Sequence, residues 1–368
     1  MTRPRIPYGR QTISFTDRFR VGVALGASLI TQGDRVTRFE SALASKVGAE
    51  YAIAFSSGTA ALHAAAAVGG ANSTTTALVP NLTFVATANA PRYSGAKVRI
   101  GDISSENWNL DPAGITQDVD MVLPVHFAGL PVELDSPAYT RSRAIVIEDA
   151  AHALGAYAKD GPIGNCARSD MTCFSFHPVK SITTGEGGAV TTNSEVYARE
   201  LRMFRSHGIT KTSADYEWQY DVPQLGYNYR ITDFQAELGL SQLSRLGEFI
   251  EKRNAVADRY RKRLGGVAGV TLPPEPTASV RHSYHLFPIL VSNRDNVILR
   301  LRAEGIIAQV HYPALHRLTI NAYSDWRENS LLTSTWVTDQ ILSLPMWPNL
   351  SGARQLRVID ALLRALDR

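Results

Sequence analysis

Short apolar runs recur through the first half of the chain, each followed by a stretch with helical spacing. They fall at residues 51–55, 77–80, 97–100, 121–125, 144–147, 171–176 and 189–192, four to six residues each. That length suits a strand buried on both faces and is too short for a helix. Between them, residues 16–29, 60–68 and 83–93 read as helices. Thr37 and Glu40 stand in capping-box spacing ahead of Leu43 and Val47, which share a face with Phe39. Strand, Gly-containing turn and helix form the crossover unit of a parallel sheet. The pattern predicts an α/β fold with a mostly parallel seven-stranded sheet, covered by helices on both faces.

The order changes at Thr232. Thr232 and Gln235 make a second capping box, and Phe234, Leu238, Leu243, Leu246 and Ile250 keep helical spacing. One helix is predicted over residues 232–264, stopped by Gly265-Gly266. After Pro273-Pro274 come a strand at 283–291, a helix at 296–304, strands at 306–312 and 341–344, and a helix from Ser351. The expectation is a large domain with an N-terminal arm (residues 1–245) and a smaller α+β domain (246–368), linked by that helix.

Composition narrows the classes. The 368 residues are 44% hydrophobic and 20% charged, with a net charge of +4, as in an ordinary soluble protein. No basic stripe with interleaved aromatics supports nucleic-acid binding. No apolar run is long enough to span a bilayer, and the N-terminal segment lacks the apolar core of a signal peptide. Cys166 and Cys173 form neither a disulfide framework nor a metal site, so a reducing cytoplasm is expected and no metal.

Three strand ends carry candidate chemistry. Ser57-Gly58-Thr59 opens a helix, whose free amides and dipole can bind a phosphate; many such turns carry Gly only to reverse the chain. Asp149 ends an apolar run, where it could pair with a cationic ring nitrogen or cap the next segment. His152 follows it by three residues. Lys180 follows the run at 171–176 and precedes Gly185, Gly187 and Gly188. It could point into water, or a desolvated amine there could serve as a nucleophile holding an aldehyde cofactor as a Schiff base. Only seven of the 38 basic residues are lysines, and arginine cannot form that bond. Ser175 could donate to a phosphate or bond the backbone. Phe84 and His126 could stack on a flat ring or belong to the core. One shared explanation for phosphate turn, acid and lysine outweighs three separate ones.

The segments SSGTAALHAA, EDAAHALGA, SFHPVKSITTGEGGAVTTN, RSHGIT and LGYNYRITDFQAELGLSQL resemble the sugar aminotransferase family over nearly the whole chain. The family has the aspartate-aminotransferase-like fold, fold type I of the pyridoxal-phosphate enzymes. FHPVK, LGYNYR and IPYGRQTI most resemble members serving pseudaminic acid synthesis. The resemblance implies pyridoxal 5'-phosphate on Lys180, with Asp149 at the pyridine nitrogen, His152 by the phenolic oxygen and Phe84 stacked on the ring. It implies a phosphate site at Ser57, Gly58, Thr59 and Ser175. Asn228 would reach the cofactor of the partner subunit, making a homodimer with shared active sites. Tyr8, Thr31, Gln32, Gly33, Arg230, His311, Tyr312 and Tyr323 would contact the substrate, a UDP-linked 4-keto sugar aminated at the expense of L-glutamate, which leaves as 2-oxoglutarate.

Departures are few. Ser181 stands where relatives of this subgroup often have Pro, and residues 114–119 and 131–143 are short, reading as trimmed surface connections. Members that dehydrate sugars carry His at the lysine position, and Lys180 argues against that chemistry. A C4 aminotransferase for another 4-keto-6-deoxy sugar nucleotide, and a non-catalytic sugar-nucleotide-binding relative, remain open at this point.

Overall fold

A computed structural model describes residues 4–212, 216, 218–319 and 330–366. Two helices come first, α1 (Phe15–Leu25) and α2 (Asp34–Val47). The sheet then forms from β1 (Tyr51–Phe55), β2 (Thr76–Pro80), β3 (Lys97–Gly101), β4 (Met121–Val122), β5 (Ile145–Asp149), β6 (Met171–Ser175) and β7 (Gly188–Thr192). Its spatial order is β1-β7-β6-β5-β4-β2-β3. Four neighbouring pairs are parallel, while β7 runs antiparallel to both β1 and β6. The reason is local: β6 and β7 are joined by a twelve-residue loop, 176–187, with no crossover helix to return the chain in the same direction. Lys180 sits in that loop.

Helices α3 (Gly58–Val68), α4 (Val85–Tyr93) and α6 (Glu195–Arg205) pack on the sheet. In α3 the core-facing positions are mostly alanine (Ala60, Ala61, Ala64, Ala65 and Ala66 are buried), so backbone and sheet approach closely.

Several boundaries differ from the expectation. Helix α1 ends at Leu25, its N-terminus fixed by a Ser14–Asp17 capping box. Helix α2 starts at Asp34 behind Gly33, so Thr37 and Glu40 are not its cap. Glu40 instead turns inward, accepting from the amide of Ala54 and the guanidinium of Arg205. The segment expected as one helix over 232–264 is two, α7 (Asp233–Leu243) and α8 (Leu246–Leu264). Arg245, at the break, pairs at 2.6 Å with the fully buried carboxylate of Asp17, which also accepts from Ser241 and Gln242. Satisfying that acid fixes the break. The Thr232–Gln235 capping box is present.

Residues 131–134 are not a surface connection. Val132 and Leu134 are buried in a core with Leu78, Tyr139 and Val146, and Asn109 donates to the carbonyls of Leu130 and Pro131. Pro137 opens a one-turn helix, α5 (Pro137–Thr140).

A second, three-stranded antiparallel sheet holds β8 (Val270–Thr271), β9 (Phe287–Val291) and β10 (Ile341–Leu344), covered by α9 (Arg294–Ala303) and α11 (Gly352–Leu366); α10 (Leu332–Gln340) leads into β10. Their core includes Tyr260, Phe287, Leu342 and Val358, and Ile6 of the N-terminal arm packs into it. Residues 306–312 are not a strand. Ile307 donates to Ile6 and Gln309 exchanges bonds with Ser343, so this stretch divides its bonds between the arm and β10. Among the described residues no helix is long and apolar enough to cross a membrane.

Candidate active site

The carboxyl ends of the parallel strands open on one cavity of about 510 Å³, within the usual range of small-molecule sites. Of the residues singled out in the sequence, Tyr8, Ser57, Gly58, Thr59, Phe84, Asp149, His152, Ser175, Lys180, His311 and Tyr312 line it. Asn228, Arg230, Thr31, Gln32 and Gly33 do not. Tyr323 lies outside the described residues. The main chain at Tyr229 nevertheless accepts from Ser56, so the Asn228–Arg230 stretch runs directly beside the α3 turn. Thr31 bridges Thr232, and Asp233 accepts from the amide of Gly33, tying that turn to α7.

At the N-terminus of α3, Ser57 caps the helix by accepting from Ala60. The first-turn amides of Gly58 and Thr59 have no intrahelical acceptor, which suits an anion. Gly58 is required: a Cβ there would stand 2.8 Å from the Cβ of Ser175 on β6. Only glycine lets the helix end come so close to the strand.

Asp149 is buried at the end of β5. Thr87 donates to its Oδ2 at 2.7 Å, and the Ala151 amide to its Oδ1 at 3.1 Å. The Thr87 proton being used there, Thr83 must donate to Thr87 across their 2.7 Å contact. Each carboxylate oxygen keeps a free lone pair for a further donor. The preceding residue points the other way, as strand alternation requires. Glu148 accepts from His126, Ser169 and Thr172. Because Nδ1 of His126 accepts from the Val132 amide, its proton is on Nε2, 2.8 Å from Glu148. His126 is therefore a core residue and does not line the cavity.

Lys180 is half-buried by its own surface, its open side facing the cavity. Desolvation by the surrounding protein is the main cause that lowers its pKa to about 8; Asp149 acts to raise it and Arg253 to lower it. A useful fraction of the amine is thus neutral near pH 7–8. Four imidazoles line this site, His152, His177, His285 and His311. Burial, followed by the charge of Lys180 and neighbouring histidines, holds His152 well below its ordinary value. His285 is pushed the same way, and His311 down to about 4, burial leading in each case. His152 Nε2 lies 3.0 Å from the Tyr312 hydroxyl, while its Nδ1 is buried without a partner. Phe84, 52% exposed, sits at the rim with its ring 5.6 Å from that of Tyr312.

Sequence reasoning missed His285, Thr83, Thr87, His177 and Glu186. Thr83 and Thr87 lie four residues apart beside Phe84, a one-turn spacing that could have paired them. The apolar pattern at 283–291 places His285 in a strand, but β9 starts only at Phe287. Residues 283–286 bond instead to the loops that follow β4 and β5, Ser283 donating to the carbonyl of His152 at 2.7 Å and Leu286 to that of Ala128.

Comparison with known proteins gives a consistent result. The profile of the DegT/DnrJ/EryC1/StrS aminotransferase family matches residues 15–363. The UDP-4-amino-4-deoxy-L-arabinose–oxoglutarate aminotransferase of Shewanella sediminis is 34% identical over 98% of each chain. The UDP-4-amino-4,6-dideoxy-N-acetyl-beta-L-altrosamine transaminase of Campylobacter jejuni is 36% identical over 83% of each chain. Among solved structures, Helicobacter pylori PseC, an aminotransferase involved in the biosynthesis of pseudoaminic acid, superimposes with a TM-score of 0.91 at 27% identity, covering 99% of each chain.

Proposed function

The chain belongs to the DegT/DnrJ/EryC1/StrS aminotransferase family, and from that premise we propose that it moves an amino group from L-glutamate to C4 of a UDP-linked 4-keto-6-deoxy-N-acetylhexosamine. At the coarser level it is a pyridoxal-phosphate-dependent sugar-nucleotide aminotransferase. The finer reading draws on the Campylobacter relative and the Helicobacter structure, and gives UDP-4-amino-4,6-dideoxy-N-acetyl-β-L-altrosamine, a step of pseudaminic acid synthesis.

One observation carries the proposal: the amine of Lys180 and the carboxylate of Asp149 face the same cavity, with the open helix end of α3 beside them. The residues fit pyridoxal phosphate. In this reading Gly58, Thr59, Ser57 and Ser175 would hold the phosphate, Asp149 would accept from the ring nitrogen, and Lys180 would bind the aldehyde. Phe84 and His152 would contact the ring, and the buried Nδ1 of His152, without a partner among the described residues, would be open to a bound group.

When bound, the cofactor supplies the electron sink that lets a proton leave the carbon bearing the donor's amine. The protein does the rest. Lys180 Nζ, neutral in part at working pH, would take that proton from the donor and, in the second half of the cycle, deliver one to C4 of the sugar. Asp149 would accept from the ring nitrogen and so favour its protonated form. The buried imidazoles stay neutral and so add no competing positive charge beside the amine.

The reading also makes the active unit a homodimer. Supporting this, Phe15, Phe19 and Val23 form an exposed stripe at four-residue spacing on α1, 81%, 63% and 54% exposed. Asn228, Arg230 and the Thr31–Gly33 turn, outside their own cavity, would serve the partner's. We further assign residues 1–245 to cofactor binding and 246–368 to a smaller unit, supported by the break at Ser244–Arg245 and the separate core around Tyr260. Free, buried Cys166 and Cys173 suit a cytoplasmic setting.

A panel of UDP-linked 4-keto sugars offered with glutamate, products resolved by NMR, tests the substrate. The N-acetylated 6-deoxyhexose should turn over best, with the amine at C4. Preference for a 4-keto pentose would instead favour the chemistry of the Shewanella relative.

A further inference from the structure

A guanidinium taken out of water without a counter-ion is costly unless its N–H groups find other acceptors. Arg253 of α8 is 1% exposed. Its partners are four main-chain carbonyls rather than a carboxylate. Nη1 donates to Tyr284 and His285, both at 3.2 Å. Nη2 donates to Val179 at 3.3 Å and reaches Lys180 at 3.5 Å, the outer limit of a hydrogen bond. One edge of a rigid fork thus grips the loop that carries Lys180, and the other the segment that brings His285 into the cavity. An ammonium could not span both.

We propose that Arg253 is a positioning residue for Lys180, clamping the main chain on which the amine stands and setting an uncompensated positive charge behind it. The inference rests on the reading of Lys180 as the cofactor lysine. Asp149 on β5 faces the amine with a negative charge, and Glu186 lines the cavity from its exposed edge. His152, His177, His285 and His311 feel the amine's charge, and burial leads in pushing each towards its neutral form. Against Asp149 the opposing charge is that of Arg253, still cationic with a pKa of about 10. Desolvation leads in lowering the amine's pKa, Asp149 pulls it back towards protonation, and the arginine works against the acid.

The test needs no cofactor. The lysines of the full-length, cofactor-free protein are methylated with ¹³C-formaldehyde, and Lys180 is assigned by its absence in Lys180→Arg. Its resonance should titrate near 8 in the parent, about one unit higher in Arg253→Gln, and close to the parent in Arg253→Lys, which keeps the charge but loses half the clamp. In loaded enzyme, kcat should fall in Arg253→Gln and recover in part in Arg253→Lys, with KM little changed. A parent Lys180 that titrates near 10.5 overturns the proposal before any variant is made, as does a folded Arg253→Gln whose Lys180 titrates like the parent's. Should Arg253→Gln fail to fold, Arg253→Lys decides: a rise towards the ordinary lysine value despite the retained charge overturns the electrostatic part. Failure of the cofactor reading would show separately, as turnover surviving in Lys180→Arg.

Discussion

The Thr87 hydroxyl donates to Asp149 across 2.7 Å at the end of β5, and Thr83 donates to Thr87 in turn. This short chain orients the carboxylate and supports its charge in a buried setting. Thr87→Val keeps the volume and removes the donor. Losing a hydrogen bond to a charged group costs about 1.5–3 kcal/mol. Steady-state kinetics should therefore show kcat/KM lower by roughly 10- to 100-fold, with Thr87→Ser close to the parent.

Among the described residues His152 has a single hydrogen-bond partner, the Tyr312 hydroxyl, and a second ring nitrogen without one. Tyr312→Phe removes that one partner. The imidazole should then lose its fixed orientation, lowering kcat/KM about tenfold, with a thermal midpoint within a few degrees of the parent as the control.

Glu148 contributes to stability in a pH-dependent way. Burial acts to raise its pKa, but the bonds from His126, Ser169 and Thr172 prevail and lower it. A carboxylate whose folded value lies below its unfolded one stabilises fully above the unfolded pKa, near 4.5. That contribution is lost as pH falls through the folded value. Urea unfolding from pH 7 downwards should show a declining acid limb. In Glu148→Gln that limb should be shallower, by up to one proton's worth, about 1.4 kcal/mol per pH unit.

The stripe on α1 gives the dimer a direct check. Phe15→Asp with Phe19→Asp should convert a dimer to a monomer in light scattering, and turnover should fall with it, because Asn228 and Arg230 would no longer meet a neighbouring cavity. A parent protein that scatters as a monomer, or a monomeric variant with full turnover, would contradict the shared site.

Much of this was legible in the chain. The short apolar runs and their intervening helices gave the α/β sheet, and Asp149 and Lys180 stood out because a charged group at the end of a buried run needs a reason. What stayed hidden depends on partners distant in sequence. The break after Leu243 follows from Arg245 meeting Asp17, more than two hundred residues away. Glu40 looked like a cap because its partners, buried Ala54 and half-buried Arg205, carry no local signal. The reversed direction of β7 follows from loop length rather than from strand composition. Arg253 reads as one more basic residue on a helix until its four carbonyls are known, and residues 306–312, apolar enough for a strand, are claimed by the arm at Ile6.

The central claim is that Lys180 alone holds the cofactor, and peptide mapping tests it most directly. The protein is loaded with pyridoxal phosphate, reduced with borohydride, digested and read by mass spectrometry. The pyridoxyl mark should fall on the peptide containing Lys180, in stoichiometric amount, and vanish in Lys180→Arg. A mark on any of the other six lysines, or none at all, would contradict the account.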